Sequence, residues 1–231
     1  MPAKPSLESG VKIMKASLES VWAHREEIVY PRMFGPKSRG IFVLESDLFL
    51  NTFKQEKIDP RWLHHGVLEH GPSIESGTYY YVTSGASSPW EVEPTDYSAS
   101  EYSGFGTELV LEVSERADWP IIVLQRLLAF NILLAYGRYG ESKPLDYWQR
   151  VPLGGSIVGD SALHHLLIAP PQHYEAQFVL DSGKVDLLHV VGITEQERDY
   201  AKEHGSEALL ALLQDAGGFP VTNPLRSSVV P

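Results

Sequence analysis

The sequence predicts an α+β fold: a single domain, residues 1–231, in which a mixed, mostly antiparallel sheet packs against helices. Three observations predict it. Strand and helix patterns are mixed without strict alternation. One run, Ser103 to Ala135, holds a turn, a strand, a corner and a core helix in succession. The chain shows no internal repeat and no low-complexity linker, and its 43% hydrophobic residues suffice for a sizeable core.

Residues 1–12 are polar and contain proline, which reads as a loose end. Ser17 is placed to cap a helix carrying Leu18, Val21, Trp22 and Ile28 on one side, with Pro31 ending it. Met33 to Pro36 reads as a turn. Ile41 to Leu50 reads as strand, with Phe42, Leu44, Leu48 and Leu50 directed to the core. Arg61 to Gly66 follows a proline and leads into the next strand. Thr78 to Ser84, rich in aromatic and β-branched residues, is a strand. Gly85 to Ser103, full of Ser, Pro, Asp and Glu, is a long loop, and such loops often carry function.

The central run follows. Gly104 and Gly106 permit backbone angles or close approaches that a side chain would block. Leu109, Leu111 and Val113 alternate with Glu108, Val110 and Glu112, the pattern of a half-buried strand over Thr107–Val113. Pro120 suits a first helical turn, where its missing N–H would have no partner. Leu124, Leu127, Leu128, Asn131, Ile132 and Ala135 then recur at helical steps along one face. Gly137 to Ser161 is loop-like, and His165 to Ala169 is a strand. Ala176–Leu180 and Lys184–Ile193 form a hairpin across Asp181-Ser-Gly183. Thr194-Glu-Gln-Glu197 has the spacing of a capping box and opens a helix that Gly205 stops. A second helix starts at Ser206, points Leu209, Leu210 and Leu213 inward, and ends at Gly217-Gly218. The tail from Phe219 is irregular.

The absence of cysteine excludes disulfides and thiolate metal sites. No apolar run approaches the roughly 18 residues of a membrane span, and the start lacks an apolar signal core. A soluble cytoplasmic protein is expected, with no membrane partner. The net charge of −11 is unevenly spread: residues 62–115 hold nine acids and no Lys or Arg, while the first 61 residues hold ten of the 19 basic groups. Such a surface repels nucleic acid and attracts basic partners; it serves equally as a solvated face.

No phosphate-cradling glycine loop and no Gly-x-Ser-x-Gly elbow occurs. His64-His65 and His164-His165 invite a metal reading. Adjacent residues of an extended chain point to opposite faces, however, so each pair can give one ligand to one site. Structural or surface histidines are expected, with no metal and no cofactor. The acids at 91–101 read as a solvated loop rather than an acid–base pair. Trp90, Tyr97, Tyr102 and Phe105 interleave with them, either as a recognition surface or as packing.

Three blocks resemble the suppressor of fused family. These are Tyr81-Val-Thr-Ser-Gly-Ala-Ser-Ser-Pro-Trp90; Gly104-Phe-Gly-Thr-Glu-Leu109 with Trp119-Pro120 and Leu124-Gln125; and Val185 through Val191-Gly-Ile-Thr194 to Leu209-Leu210 and Pro220-Val-Thr-Asn. Tyr30-Pro31 and Asp59-Pro-Arg-Trp-Leu-His-His-Gly66 look like the family's bacterial branch. In animals the family is a non-enzymatic inhibitor that binds a segment of Hedgehog-pathway transcription factors between two lobes by strand pairing. Its bacterial relatives are proposed to be immunity proteins that neutralise toxins. At 231 residues this chain is expected to hold one such lobe.

The functional expectation is therefore a non-enzymatic module that binds a basic protein or extended peptide and masks it. Trp90, Tyr102 and Phe105 are the expected anchors, with Glu91, Glu93 and Glu101 steering the partner. The rivals are a hydrolase using His64 or His164 with a carboxylate, and a structural subunit of a larger assembly.

Overall fold

The structure, a computed structural model, describes residues 16–230, so the expected loose end at 1–12 lies outside the described residues. The sheet has eight strands: β1 Phe42–Val43, β2 Gly66–His70, β3 Tyr79–Ser84, β4 Tyr102–Val113, β5 Arg150–Pro152, β6 Leu163–Ala169, β7 Gln177–Leu180 and β8 Gly183–Thr194. Their order is β1-β2-β3-β4-β8-β6-β5, with β7 also paired to β8. Only β4 and β8 run parallel, so the sheet is mixed and mostly antiparallel, as the sequence predicts.

Two helical layers enclose it. Helix α3, Trp119–Ala135, lies on one face, where Leu124, Leu128 and Ile132 meet Tyr81, Leu109, Leu111, Leu188 and Val190. The opposite face is covered at one end by α1, Leu18–Ala23, a π-helical turn, His24–Val29, and α2, Tyr30–Phe34. At its other end, α4, Glu195–His204, and α5, Ser206–Asp215, pack Ala201, Leu209 and Leu213 on Leu167, Val191 and Ile193. Among the described residues no helix is long and apolar enough to cross a membrane.

Several local expectations hold because the chemistry is local. The Ser17 hydroxyl accepts from Ser20 N, and Thr194 with Glu197 forms the full capping box. Pro120 lies in the first turn of α3. Asp181-Ser182 closes the β7–β8 hairpin.

Other expectations are corrected. Thr107–Val113 belongs to a longer strand and is not half-buried: Glu108 and Glu112 are fully out of water, Glu108 beside Arg25 of the π turn and Glu112 beneath Thr78 and His173. Three of the nine acids at 62–115 (Glu69, Glu108 and Glu112) are thus interior groups rather than surface charge. Pro31 does not end the first helix, which continues to Phe34 after the π turn. That wide turn shifts the helical face by one position, so Ile28 is 60% exposed while Val29 and Tyr30 are buried. Ile41–Leu50 is mostly not strand. Only Phe42–Val43 pairs; Leu48–Thr52 is a helical turn that buries Phe49 and leaves Leu50 exposed. Residues 137–161 include the edge strand β5.

Inside the sheet, His189 of β8 is tied on both ring nitrogens. Nε2 donates to Pro220 O and Nδ1 accepts from the Tyr174 hydroxyl, each at 2.8 Å. This fixes the neutral ring and anchors the tail. The core itself depends on α3. Leu128→Ala removes a fully buried side chain and is expected to cost about 2–5 kcal/mol in urea unfolding; a loss under about 1 kcal/mol would mean that α3 is not a structural mainstay.

Candidate functional site

The site begins with Glu108, a carboxylate in the middle of β4 with no exposed surface. Its Oε1 accepts from Gly85 N at 3.0 Å, Ser87 N at 2.9 Å and the Ser87 hydroxyl at 2.7 Å. Its Oε2 accepts from the Thr83 hydroxyl at 2.5 Å. Arg25, itself buried, stands with Nη1 3.8 Å from Oε1 and donates to the hydroxyls of Ser84 at 2.7 Å and Ser87 at 2.9 Å. The serine-rich end of β3 is thereby folded around one carboxylate and one guanidinium. From the other side, Phe105 N donates to Ala86 O at 2.7 Å and the Ser103 hydroxyl to Ser87 O at 2.6 Å. Gly104 is obligatory here: its φ is +57°, and a Cβ would lie 2.6 Å from the carbonyl oxygens of Ala86 and Ser88.

This clamp delivers Trp90 to the surface. Trp22 of α1 donates from Nε1 to the Ser88 hydroxyl at 2.9 Å, and its ring meets Trp90 edge-on at 5.7 Å. His64 stacks on Trp22 at 6.3 Å and lies 5.7 Å from Trp90. Phe105 continues the patch, 6.5 Å from His65 and 5.9 Å from Tyr136. At the border, Arg61 pairs with Asp59 at 2.6 Å and also with Glu91.

The six residues expected at the site divide. Trp90, Phe105 and Glu91 come together on this patch, although Glu91 is already held by Arg61 and is not a free steering charge. Glu93 is exposed beyond it. Glu101 and Tyr102 lie where β4 meets the start of β8: Glu101 O accepts from Lys184 N at 2.7 Å, and the Tyr102 ring covers Gly106 beside Asp186. Tyr97 packs on the layer of α1 and α2. Sequence reasoning missed Trp22, Arg25 and Tyr136 at the site, and weighed His64 only as a metal ligand or hydrolase histidine. Arg25 was detectable, four residues after the buried Val21 and therefore on the same helical face.

Metal and acid–base readings gain little geometry. Among the described residues no three His, Asp or Glu side chains converge as metal ligands. His64 stacks between rings, and His164 contacts the Ser156 hydroxyl at 3.3 Å. His65 is buried; its Nδ1 donates to Arg61 O at 3.1 Å, and desolvation pushes its pKa down to about 4.

The description "Suppressor of fused protein (SUFU)" matches residues 61–227, most of the chain and the whole clamp except Arg25. The chain belongs to the suppressor of fused family. No curated protein matches it. A chain in the crystal structure of the Sufu–Fu complex superposes with a TM-score of 0.62 at 18% identity, covering 93% of this chain and 93% of that one. A putative SUFU homologue from Neisseria gonorrhoeae gives 0.61 at 18% identity over 92% of this chain and 96% of that one. Drosophila Suppressor of Fused gives 0.55 at 19% identity; 71% of this chain covers 42% of the Drosophila chain, less than half its length. At these identities the superpositions show the suppressor of fused fold and leave the side chains of the aromatic patch to be argued from this chain alone.

The buried histidines give the fold a pH dependence. Desolvation lowers His65 and His189 from 6.5 to about 4. Their folded pKa lies below the unfolded one, so protons favour the unfolded chain. Stability is full above pH 6.5 and falls as pH drops through the window from 6.5 to about 4. With about 1.4 kcal/mol per pH unit per proton, the two together should lower unfolding free energy by roughly 2–4 kcal/mol between pH 7 and pH 5. Urea titrations at the two pH values test this; equal midpoints would show that these rings are protonated in the fold.

Proposed function

We propose that the chain is a non-enzymatic binding module of the cytoplasm that masks a protein partner, and that the Trp22–His64–Trp90 patch with Phe105 is its contact face. The single observation that carries this is the clamp beneath the patch. Arg25 and Glu108 are both out of water and fix the loop that presents Trp90, so the aromatic face is ordered before any partner arrives. Rigid aromatic anchors lose little entropy on binding, which is where interface energy concentrates. Family membership supports a binding role, and one relative was crystallised as the Sufu–Fu complex. The strands with only one partner, β1, β5 and β7, are two, three and four residues long, which offers few main-chain bonds to an added strand. The reading therefore rests on side chains.

The net charge of −11, with exposed Glu93 beyond the patch and exposed Glu101 where β4 meets β8, suits a basic partner. An immunity-type inhibitor of a secreted toxin is one concrete form of this role. The hydrolase reading is disfavoured because, among the described residues, neither His64 nor His164 pairs with a carboxylate; their contacts are aromatic rings and the Ser156 hydroxyl.

Trp90→Ala should weaken binding to the native partner, isolated by co-purification, by about 2 kcal/mol or more. Charge reversal at Glu93 and Glu101 should slow association, and added salt should shrink that difference. Binding kinetics at two salt concentrations decide it. A folded Trp90→Ala protein that binds like wild type would move the contact elsewhere.

A further inference from the structure

Four glutamates of the described residues have side chains wholly out of water: Glu69, Glu108, Glu112 and Glu197. A buried carboxylate is costly unless a cation and hydrogen bonds replace its hydration. Three have an arginine. Arg39 and Arg116 hold Glu69, Arg25 stands by Glu108, and Arg226 grips Glu197 with both terminal nitrogens at 2.5 and 2.7 Å. Glu112 differs: among the described residues no Arg or Lys nitrogen lies within 4 Å of it. Its Oε1 accepts from the Thr78 hydroxyl at 2.7 Å. His173 Nδ1 lies 3.3 Å from both oxygens and hydrogen-bonds Oε1, while Oε2 has no hydrogen-bond partner.

The groups around Glu112 open onto a cavity of about 630 Å³ between α2, the loop after β2 and the loop before β7. Ser76, Tyr80, His173 and Tyr174 wall it. The Ser76 hydroxyl is 2.5 Å from that of Thr78, which donates to Glu112, so the cavity is two hydrogen bonds from the buried carboxylate. Burial first, and then the Glu112 charge, push the Tyr80 hydroxyl up to about 12. Two more acids line the cavity, Glu75 and Glu175. Against them stands one arginine, Arg32, paired with Glu175 at 3.5 Å.

We propose that this cavity receives an arginine side chain of the protein partner, whose guanidinium takes the place at Glu112 that the chain's own arginines take at Glu69, Glu108 and Glu197. Guanidinium fits better than ammonium. It offers several donors in a planar fork for the Ser76 hydroxyl and, once the part-exposed His173 ring swings aside, for the buried Oε2, and it stacks on tyrosine faces, here Tyr80 and Tyr174. That the arginine belongs to a protein rests on the binding role proposed above; the cavity chemistry does not. Glu112 and Glu108 stand about 13 Å apart along β4, so the arginine would enter at a place separate from the Trp90 patch.

The test needs no partner. Capped arginine (N-acetyl-arginine amide) is titrated into the full chain at pH 7.5, with capped citrulline as the neutral isostere, while the His173 and Tyr174 ring resonances are followed by NMR. Arginine should give saturable shifts at least about 10-fold tighter than citrulline, and Glu112→Gln should abolish them. Stability supplies an independent arm: Glu112→Gln should be as stable as wild type or more so, whereas Glu69→Gln and Glu197→Gln lose stability. Equal binding of citrulline, unchanged arginine binding by Glu112→Gln, or a loss in Glu112→Gln matching that of Glu197→Gln would each overturn the assignment. Any of these leaves the Trp90 kinetics to judge the aromatic face by itself.

Discussion

A carboxylate removed from water must recover its lost hydration from the protein, and Glu108 does so by recruiting the chain around it. Two backbone N–H groups and two hydroxyls reach its oxygens, and Arg25 stands behind. None of these donors is close to Glu108 in sequence. Satisfying one side chain therefore fixes the end of β3, the following turn, the start of β4 and the first helix relative to one another. Such an arrangement is a poor source of net stability, since well-packed apolar groups would serve as well. What it secures is uniqueness: a register slip of one residue would turn Glu108 to the α3 face, away from Arg25 and from the Thr83, Gly85 and Ser87 donors that satisfy it.

The same device recurs at the periphery. Glu69 at the β2 edge gathers Ser38, Arg39 and Arg116. Glu197 in α4 gathers Arg226 and Val229 N and so binds the irregular tail to the sheet. Burial alone would raise its carboxyl, yet Arg226 and the Thr194 N–H hold it below the ordinary glutamate range. Each clamp ties a segment with little regular structure to a rigid strand or helix. Loops fixed in this way can present side chains with the precision of secondary structure.

Much of this framework was legible in the sequence, where the signal was local. The alternation of Leu109, Leu111 and Val113, the Pro120 helix start and the Thr194–Glu197 capping box each report a short-range interaction, and each appears as read. The failures came where distant segments decide. Glu108 and Glu112 alternate with leucines as solvent-facing residues do, and distant segments bury them: Arg25, far earlier in the chain, stands by Glu108, and His173, far later, stands by Glu112. The apolar run from Ile41 to Leu50 has no alternation to distinguish strand from helix, and packing under α3 chose the helical turn. At the site, Trp90 and Phe105 were visible as aromatics in a loop. Their companions Trp22 and His64 were not, because nothing in local pattern says which rings meet across 26 to 68 residues.

Placement of charge and placement of aromatics thus turn out to be one problem. The acids of the basic-free stretch at 62–115 looked like a uniform negative face. The fold sorts them instead into interior hubs that organise structure (Glu69, Glu108), a border acid tied to Arg61 (Glu91), and exposed acids with no arginine within reach (Glu93, Glu101). Only the last group can act at long range on an approaching partner. The Glu108 hub acts earlier, by holding the loop that carries Trp90, so the entropy of ordering that loop is lost during folding. In the proposed interface the kinetic and equilibrium levers are separate: the exposed acids would set how fast a basic partner arrives, and the clamped rings how long it stays.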